Sequence, residues 1–176
     1  MPRLLHHVPK YETIGLKYFR LQGSHMLDRD GYRPNVGIIL CNAKNQVFWG
    51  KRVREHSWQF PQGGIDEGET PKKALFRELE EEIGTSDVEI ICEYPEWLQY
   101  DFPQKIAQKM YPFDGQSQKY FLVRLKENAK VNLATKEPEF CEFKFVSLDE
   151  VFEYITFFKR PIYKQVLEYF KKEGYL

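Results

Sequence analysis

The sequence has few cysteines, no long apolar run and no excess of charge of either sign. Its three cysteines among 176 residues are odd in number and show no CxxC spacing, which is typical of reduced thiols. No apolar run approaches the roughly 18 residues of a membrane span, and the N-terminus lacks the apolar core of a signal peptide. We therefore expect a cytoplasmic protein without a membrane partner.

The balance of charge excludes a protein that attracts nucleic acid by an overall basic field. The 26 basic side chains equal the 26 acidic ones in number, so the net field is weak. Residues 1–25 carry a small basic excess, and the remainder carries an equal acidic one. Any polyanion must therefore be bound by a local cluster of basic side chains or through metal ions.

The first 25 residues differ in character from the rest of the chain. They end at the run Gly23-Ser24-His25-Met26, which is typical of a protease site followed by a cloning junction. We expect residues 1–25 to be a leader left by cloning and Met26 to be the native start. A native basic arm is the alternative. The length of residues 26–176 suits one domain.

Hydrophobic and turn patterns predict a mixed α/β domain. Strands are predicted at residues 35–42, 46–53, 57–61, 88–102, 119–125 and 142–148, and helices at 70–84, 149–155 and 161–174. The first two strands should form a hairpin, and the fourth should break near Pro95. Residues 103–118 lack clear periodicity and are long for a loop, which favours a functional segment. The last helix should bury Ile162, Val166, Leu167 and Phe170.

The helix at 70–84 has clear signals at both ends. Thr70 is a good N-cap residue, Pro71 suits the first helical position, and Gly84 suits the residue just past the end. At about 100° per residue, an apolar stripe with Phe76 beside it should pack on the sheet. The stripe consists of Leu75, Leu79 and Ile83.

Three acidic residues share the arc of this helix next to the apolar stripe. Glu78 is three and four residues before Glu81 and Glu82, a spacing at which like charges repel, while Glu80 falls elsewhere and should be solvated. An ordinary solvated acidic face is one interpretation. The other is a site for Mg²⁺, which prefers carboxylate and carbonyl oxygens. Such ions would bridge polyphosphate oxygens and acidify a water molecule.

The stretch from Gly63 to Thr85 resembles the signature of the Nudix hydrolase family, G-x5-E-x7-R-E-U-x-E-E-x-G-U, in which U is a bulky aliphatic residue. The one departure is Thr85 at the last position, where it affects packing rather than chemistry. The resemblance implies an α/β/α sandwich with a mixed β-sheet. It also implies Mg²⁺-dependent cleavage of a nucleoside diphosphate linked to another group. The matching residues are Gly63, Glu69, Arg77, Glu78, Leu79, Glu81, Glu82 and Gly84.

The same resemblance implies roles for individual residues. Two or more Mg²⁺ ions, for which Mn²⁺ can substitute, would be bound by Glu78, Glu81, Glu82 and the Gly63 carbonyl. Arg77 would orient these glutamates, and Glu69 would brace the loop. Glu139, in the middle of the run Pro138-Glu139-Phe140, is implied as a further metal ligand or general base, although Glu137 lies close by. The implied catalytic residues are Glu81, Glu82, Glu139 and Arg52.

Further runs resemble a bacterial branch of the family that removes pyrophosphate from 5′-triphosphorylated RNA and so triggers RNA decay. They are residues 31–42, 56–65, 138–140 and 158–160. The branch places Arg33, Arg52 and Lys159 around the RNA 5′ end, and Phe158 as the ring on which a base stacks. One of Phe157 and Phe158 should belong to the core. Weaker candidates for substrate contact are Lys51, Ser57 and Tyr100.

Two other functions fit the same signature. A diadenosine polyphosphate (Ap4A or Ap5A) hydrolase would share both the signature and a need for phosphate-binding cations. A catalytically silent nucleotide sensor on the same scaffold would not need three repelling carboxylates, so the intact glutamates argue against it. The sequence leaves open which glutamate is the base and whether the β or the γ phosphorus is attacked.

Overall fold

The computed structural model describes residues 31–155 and 158–176, so the predicted leader at 1–25 and Phe157 lie outside the described residues. The elements are β1 Tyr32–Cys41, β2 Val47–Arg52, β3 Trp58–Gln59, β4 Gln62–Gly64, α1 Pro71–Ile83, β5 Val88–Asp101, α2 Gln104–Lys109, β6 Gly115–Leu125, β7 Phe140–Val146, α3 Leu148–Tyr154 and α4 Arg160–Lys172. None of these helices has the length and apolar character needed to cross a membrane.

The strands form one mixed sheet of seven strands. Its main order is β3-β2-β1-β6-β5, with β4 paired to β1 and β7 paired to β2. The central pair, β1 and β6, is parallel over ten residues of each strand, and the other pairs are antiparallel. The predicted hairpin forms, but β2 pairs along its length with β7 and meets β1 only at Cys41 and Val47.

A helix covers each face of the sheet. Successive side chains of β1 point to opposite faces, so neighbouring residues of this strand pack against different helices. Ile38 and Leu40 pack with the apolar stripe of α1, whereas Ile39 packs with the four residues of α4 that the sequence predicted to be buried. The α/β/α sandwich is therefore confirmed. Phe76, at the edge of the stripe, is 38% exposed.

The predicted ends of α1 are confirmed. The side chain of Thr70 accepts a hydrogen bond from the backbone N–H of Lys73, and Pro71 occupies the first turn. Gly84 has a φ of 70°, in the left-handed region that glycine adopts without steric cost. Its N–H donates to the carbonyl of Glu80 at 3.2 Å and ends the helix.

Two structural expectations about the middle of the chain were wrong. Residues 103–118 are not a loop, since they contain α2 and the beginning of β6, although several of them line the cleft described below. Helix α2, with six residues, is too short to show a period, and the start of β6 is polar yet buried by its pairing with β1. Strand β5 is continuous through Pro95. Its register against β6 shifts between Glu93 and Trp97, since proline cannot donate a ladder hydrogen bond.

Candidate active site

A cleft of about 800 Å³ opens where β1, β4, α1 and α2 meet. Residues from distant parts of the sequence line it. Ten of the residues predicted to belong to the site are among them: Arg33, Arg52, Gly63, Glu78, Glu81, Glu82, Tyr100, Glu139, Phe158 and Lys159.

Arg77 fastens the loop before α1 to the middle of that helix. Its guanidinium donates to both carboxylate oxygens of Glu69, at 2.9 and 2.8 Å, and to the carbonyl of Gly64 at 2.8 Å. It also donates to Glu78 at 2.7 Å. A planar fork with several partners holds its position well, and the hydrogen bond from Arg77 lowers the pKa of Glu69. These contacts are the ones expected if Arg77 orients the glutamates of α1 and Glu69 braces the loop before it.

Glu78 and Glu82 lie in the wall of the cleft and are 8% and 5% exposed. Burial raises the pKa of both carboxyl groups, and the charge of Glu78 raises that of Glu82 further. The backbone N–H of Gln62 donates to Glu82 at 3.1 Å. A solvated acidic face therefore describes only the exposed Glu80 and Glu81.

Gly63 lies against the carboxyl group of Glu78. A Cβ atom at this position would come within 1.8 Å of the carboxyl carbon and about as close to both oxygens. The strand β4 thus needs a glycine here for Glu78 to keep its place. The pairing of Gly63 with Val36 of β1 fixes this strand in the sheet.

Arg52 and Glu139 meet at the opposite side of the cleft. Their side chains form an ion pair of 3.1 Å, and the backbone of Val53 donates to the Glu139 carbonyl at 3.0 Å. The charge of Glu139 also contributes to the raised pKa of Glu82. Glu137 lines the cleft too, but Glu139 is the one tied to Arg52.

An aromatic and basic group forms the far end of the cleft. The ring of Phe158 is half-buried and lies 5.9 Å from the ring of Tyr100. Lys159 donates to the side-chain oxygen of Gln59 at 2.6 Å. Burial lowers the pKa of Lys159 to about 8, with the nearby positive charge of Arg52 adding to the shift. The hydroxyl of Tyr100 donates to Gln116.

Lys51 and Ser57 do not line the cleft. Neighbouring side chains on a strand point to opposite faces, so Lys51 turns away from the side of Arg52 and reaches Glu142 at 4.0 Å. Ser57 contributes its backbone carbonyl, which accepts from the N–H of Arg52 at 2.8 Å.

The chain matches the NUDIX domain family over residues 31–166. It belongs to the Nudix family. Among curated proteins it is similar to the RNA pyrophosphohydrolase of a Nitratiruptor species, with 61% identity over 85% of this chain and 99% of the relative. It is also 56% identical to that of Campylobacter jejuni (strain 81-176), over 86% of this chain and 100% of the relative. The RNA pyrophosphohydrolase of Helicobacter pylori is 53% identical, over 82% and 97%.

Solved structures with the same Nudix fold are much more distant in sequence. The E. coli dihydroneopterin triphosphate pyrophosphohydrolase superposes with a TM-score of 0.63 at 16% identity, over 76% of this chain and 95% of that one. A C. elegans Ap4A hydrolase complex superposes with a TM-score of 0.58 at 18% identity, over 79% and 98%. At these identities the likeness establishes the fold alone, and the substrate has to be inferred from the residues of the site.

Nudix hydrolases generally use divalent metal ions, and the oxygen donors of this cleft fit such an ion. Two buried carboxylates with raised pKa values and mutual repulsion suit a cation that neutralises them. In the described ranges 31–155 and 158–176, however, no group of three Asp, Glu, His or Cys side chains is arranged so that it could hold a metal ion. Arg77 holds Glu78, and Glu81 is drawn toward the same guanidinium at 3.3 Å.

Several residues that line the cleft were not predicted from the sequence. Asn35, Gln62 and Gln116 come from three strands, and Lys109 comes from the missed helix α2. The run Gly115-Gln116-Ser117-Gln118 offered a signal, because a polar start to an apolar strand is unusual unless it lines a site. Lys136 lies in the connection before β7 and carried no signal.

Phe158→Ala should reduce kcat/KM on triphosphorylated RNA at least about tenfold, because a base stacked on a ring contributes about 1–3 kcal/mol. Phe158 lines the cleft and also touches the α4 core. The half-buried ring should therefore cost less stability than the 3–5 kcal/mol or so of a fully buried phenylalanine. Melting curves and RNA kinetics on one preparation test this. A full core-sized loss of stability, or unaltered kinetics, would contradict a stacking role.

Proposed function

We propose that this protein is an RNA 5′-pyrophosphohydrolase. It converts 5′-triphosphorylated RNA ends to 5′-monophosphates with release of pyrophosphate, and so initiates mRNA decay. The observation that carries the proposal is the pairing, in one cleft, of an acidic end containing Glu78 and Glu82 with a basic and aromatic end containing Lys159 and Phe158. Relatives named RNA pyrophosphohydrolase at 53–61% identity support the same activity.

The proposed cofactor is Mg²⁺, as two or more ions, with Mn²⁺ able to replace it. When bound, such ions neutralise polyphosphate oxygens and make a water molecule more acidic. The ligands would be carboxylates of α1, the side chain of Glu139 and the carbonyl of Gly63. The α1 ligands are Glu78, Glu81 and Glu82, of which the first and last are already buried at the cleft wall.

The chain's own residues bind the triphosphate and move the proton. Arg33, Arg52 and Lys159 donate to phosphate oxygens, and a guanidinium does so with two parallel hydrogen bonds. A carboxylate of Glu81, Glu82 or Glu139 accepts the proton of the attacking water, which is general-base catalysis. Arg52 is held at 3.1 Å from Glu139, so the charge that develops on the phosphoryl oxygens meets a positioned cation.

The RNA chain leaves the cleft at its aromatic end. The ring of Phe158 provides the stacking surface for a base, and Tyr100 supports that ring from the side. In this proposal Ser57 acts through its backbone contact to Arg52. Stacking is tolerant of base identity, so many RNA ends are accepted.

A side-by-side assay tests the proposal. Purified protein with Mg²⁺ is given 5′-triphosphorylated RNA and diadenosine tetraphosphate at equal concentration, and kcat/KM is measured for each. We expect release of pyrophosphate from RNA with the higher kcat/KM. A preference for diadenosine tetraphosphate would replace the proposal with a dinucleotide hydrolase, and binding without turnover of either would indicate a nucleotide sensor.

Excess Mg²⁺ should raise the melting temperature of the wild type, since a ligand that binds only the folded state stabilises it by mass action. The rise should be much smaller in Glu78→Gln, which keeps the shape of the side chain but loses the charge. Differential scanning calorimetry with and without chelator measures both shifts. Equal shifts in the two proteins would place the metal away from Glu78.

A cytoplasmic location is part of this proposal. The three cysteines are free thiols, with Cys41 buried, Cys92 half-buried and Cys141 exposed. Oxidising compartments favour paired cysteines, and an exposed free thiol suits a reducing one. Fractionation of the native host, followed by immunoblotting, would test the location.

A further inference from the structure

Buried side-chain amides form the floor of the cleft. Asn35 of β1 and Gln118 of β6 lie directly opposite each other in the sheet, and each is 1% exposed. The side-chain nitrogen of Gln118 donates to the oxygen of Asn35 at 2.8 Å and to that of Gln62 at 3.1 Å. Asn35 and Gln62 line the cleft, whereas Gln118 lies behind them.

The hydroxyl of Tyr120 decides which way these amides face. Tyr120 is 1% exposed, and its hydroxyl donates to the oxygen of Gln118 at 2.8 Å. A buried hydroxyl that loses its acceptor carries the full cost of desolvation. If Gln118 turned its nitrogen toward Tyr120, the hydroxyl would lose the acceptor that it has in this structure. The oxygen of Gln118 therefore faces Tyr120, and its nitrogen faces the cleft side.

The orientation of Gln118 sets the orientation of the two amides in front of it. The oxygens of Asn35 and Gln62 point back to accept from Gln118. A primary amide has its two N–H donors at the other end, so the NH₂ groups of Asn35 and Gln62 are directed at the cleft. No acceptor among the described residues is hydrogen-bonded to either NH₂ group.

We infer that the NH₂ groups of Asn35 and Gln62 bind phosphate oxygens of the substrate, and that Gln118 is the positioning residue that turns both toward it. This inference rests on the proposed function. Neutral donors suit this place because the adjacent carboxylates must bind metal cations. A lysine or arginine here would compete with those cations for the carboxylates. Gln62 also donates its backbone N–H to Glu82, so the same residue touches the substrate site and a catalytic carboxylate.

Gln118→Glu tests the positioning role without altering a residue that touches substrate. A carboxylate can only accept hydrogen bonds, so it keeps the bond from Tyr120 and forces Asn35 and Gln62 to turn their NH₂ groups inward. Their oxygens then face the phosphates. We expect KM for triphosphorylated RNA to rise at least about tenfold, the scale of a lost hydrogen bond to a charged group, with a much smaller change in kcat.

Two further variants keep the test interpretable. Gln99→Glu adds the same charge to a buried glutamine of β5 outside the cleft and should leave KM unchanged. Tyr120→Phe adds no charge and frees Gln118 to turn, so about half of the molecules should present the wrong amide ends and KM should rise roughly twofold. Equal KM effects in Gln118→Glu and Gln99→Glu, or an unchanged KM in Tyr120→Phe, would overturn the inference.

NMR of the wild type with saturating inorganic tripolyphosphate gives a reading that does not depend on turnover. The side-chain NH₂ signals of Asn35 and Gln62 should shift together with the guanidinium signal of Arg33. Unmoved amide signals beside a shifted Arg33 signal would contradict the inference and leave the proposed function standing. Shifted amide signals in a protein inactive on triphosphorylated RNA would support the inference and refute the RNA activity.

Discussion

Glu82→Gln should lower turnover on triphosphorylated RNA by at least about 100-fold, the usual scale for loss of an acid–base or charge-stabilising group. Among the described residues that line the cleft, Glu82 is the most deeply buried acid, and its negative charge is repelled by that of Glu78. Glutamine keeps the shape and the hydrogen bond from Gln62 but cannot serve as an anionic ligand or a base. Steady-state kinetics with Mg²⁺ measures the loss, and near-normal turnover would remove Glu82 from the mechanism.

Glu80→Gln is the matched control on the same helix. Glu80 also borders the cleft, but it is exposed and lies on a different arc of α1 from the three candidate ligands, so the general loss of one negative charge from α1 is reproduced. Its turnover should stay within about threefold of the wild type, because exposed charges are screened by solvent. A comparable loss in both variants would attribute the effect to the net charge of the helix.

The metal-free Glu82→Gln protein should be more stable than the wild type at neutral pH. Burial raises the pKa of Glu82 in the folded state, so the folded protein binds more protons than the unfolded chain between the two pKa values. The stabilising contribution of protonated Glu82 in the wild type is therefore fully present below its unfolded pKa. It is lost as the pH rises through its folded pKa. Glutamine does not titrate, so the two melting temperatures should converge in acid and diverge on the neutral side.

Gly63→Ala should lower turnover at least about 100-fold with only a moderate loss of stability. The new Cβ atom would lie 1.8 Å from the carboxyl carbon of Glu78, so the carboxylate must leave its place at the cleft wall. The Glu78 carboxylate is the far end of a flexible side chain and can move. Position 63 has the backbone conformation of a β-strand, which alanine also adopts. Overpacking of this kind costs about 1–3 kcal/mol. Urea unfolding and RNA kinetics on the same preparation check both expectations.

A double mutant shows whether Gly63→Ala acts through Glu78. Residues in contact are not additive, so adding Gly63→Ala to Glu78→Gln should reduce activity little beyond Glu78→Gln alone. Independent losses that multiply would mean that the alanine disturbs another part of the site. The melting temperature rise with Mg²⁺ should also be small in Gly63→Ala, as it is expected to be in Glu78→Gln.

Local patterns were sufficient for α1 and for the Nudix signature that it carries. The cap at Thr70, the proline at Pro71 and the glycine at Gly84 act through neighbours within a few residues, so the sequence alone placed the helix correctly. The spacing of Leu75, Leu79 and Ile83 also identified the face that packs on the sheet, because helical periodicity fixes it. Helix α2 escaped because six residues carry too little of that periodicity.

The sequence by itself determined the helix with its glutamates, since this depends on spacing along the chain. The match of that spacing to the Nudix signature indicated the family, and the resemblance implied the sandwich. Only the tertiary structure decided which of these residues share a cleft. Arg52 and Glu139 are 87 residues apart and meet at 3.1 Å because β2 pairs with β7. Lys51 turns away from the cleft because side chains alternate along a strand. The burial that raises the pKa of Glu82, and the tyrosine behind Gln118, depend on contacts between strands that no local pattern specifies.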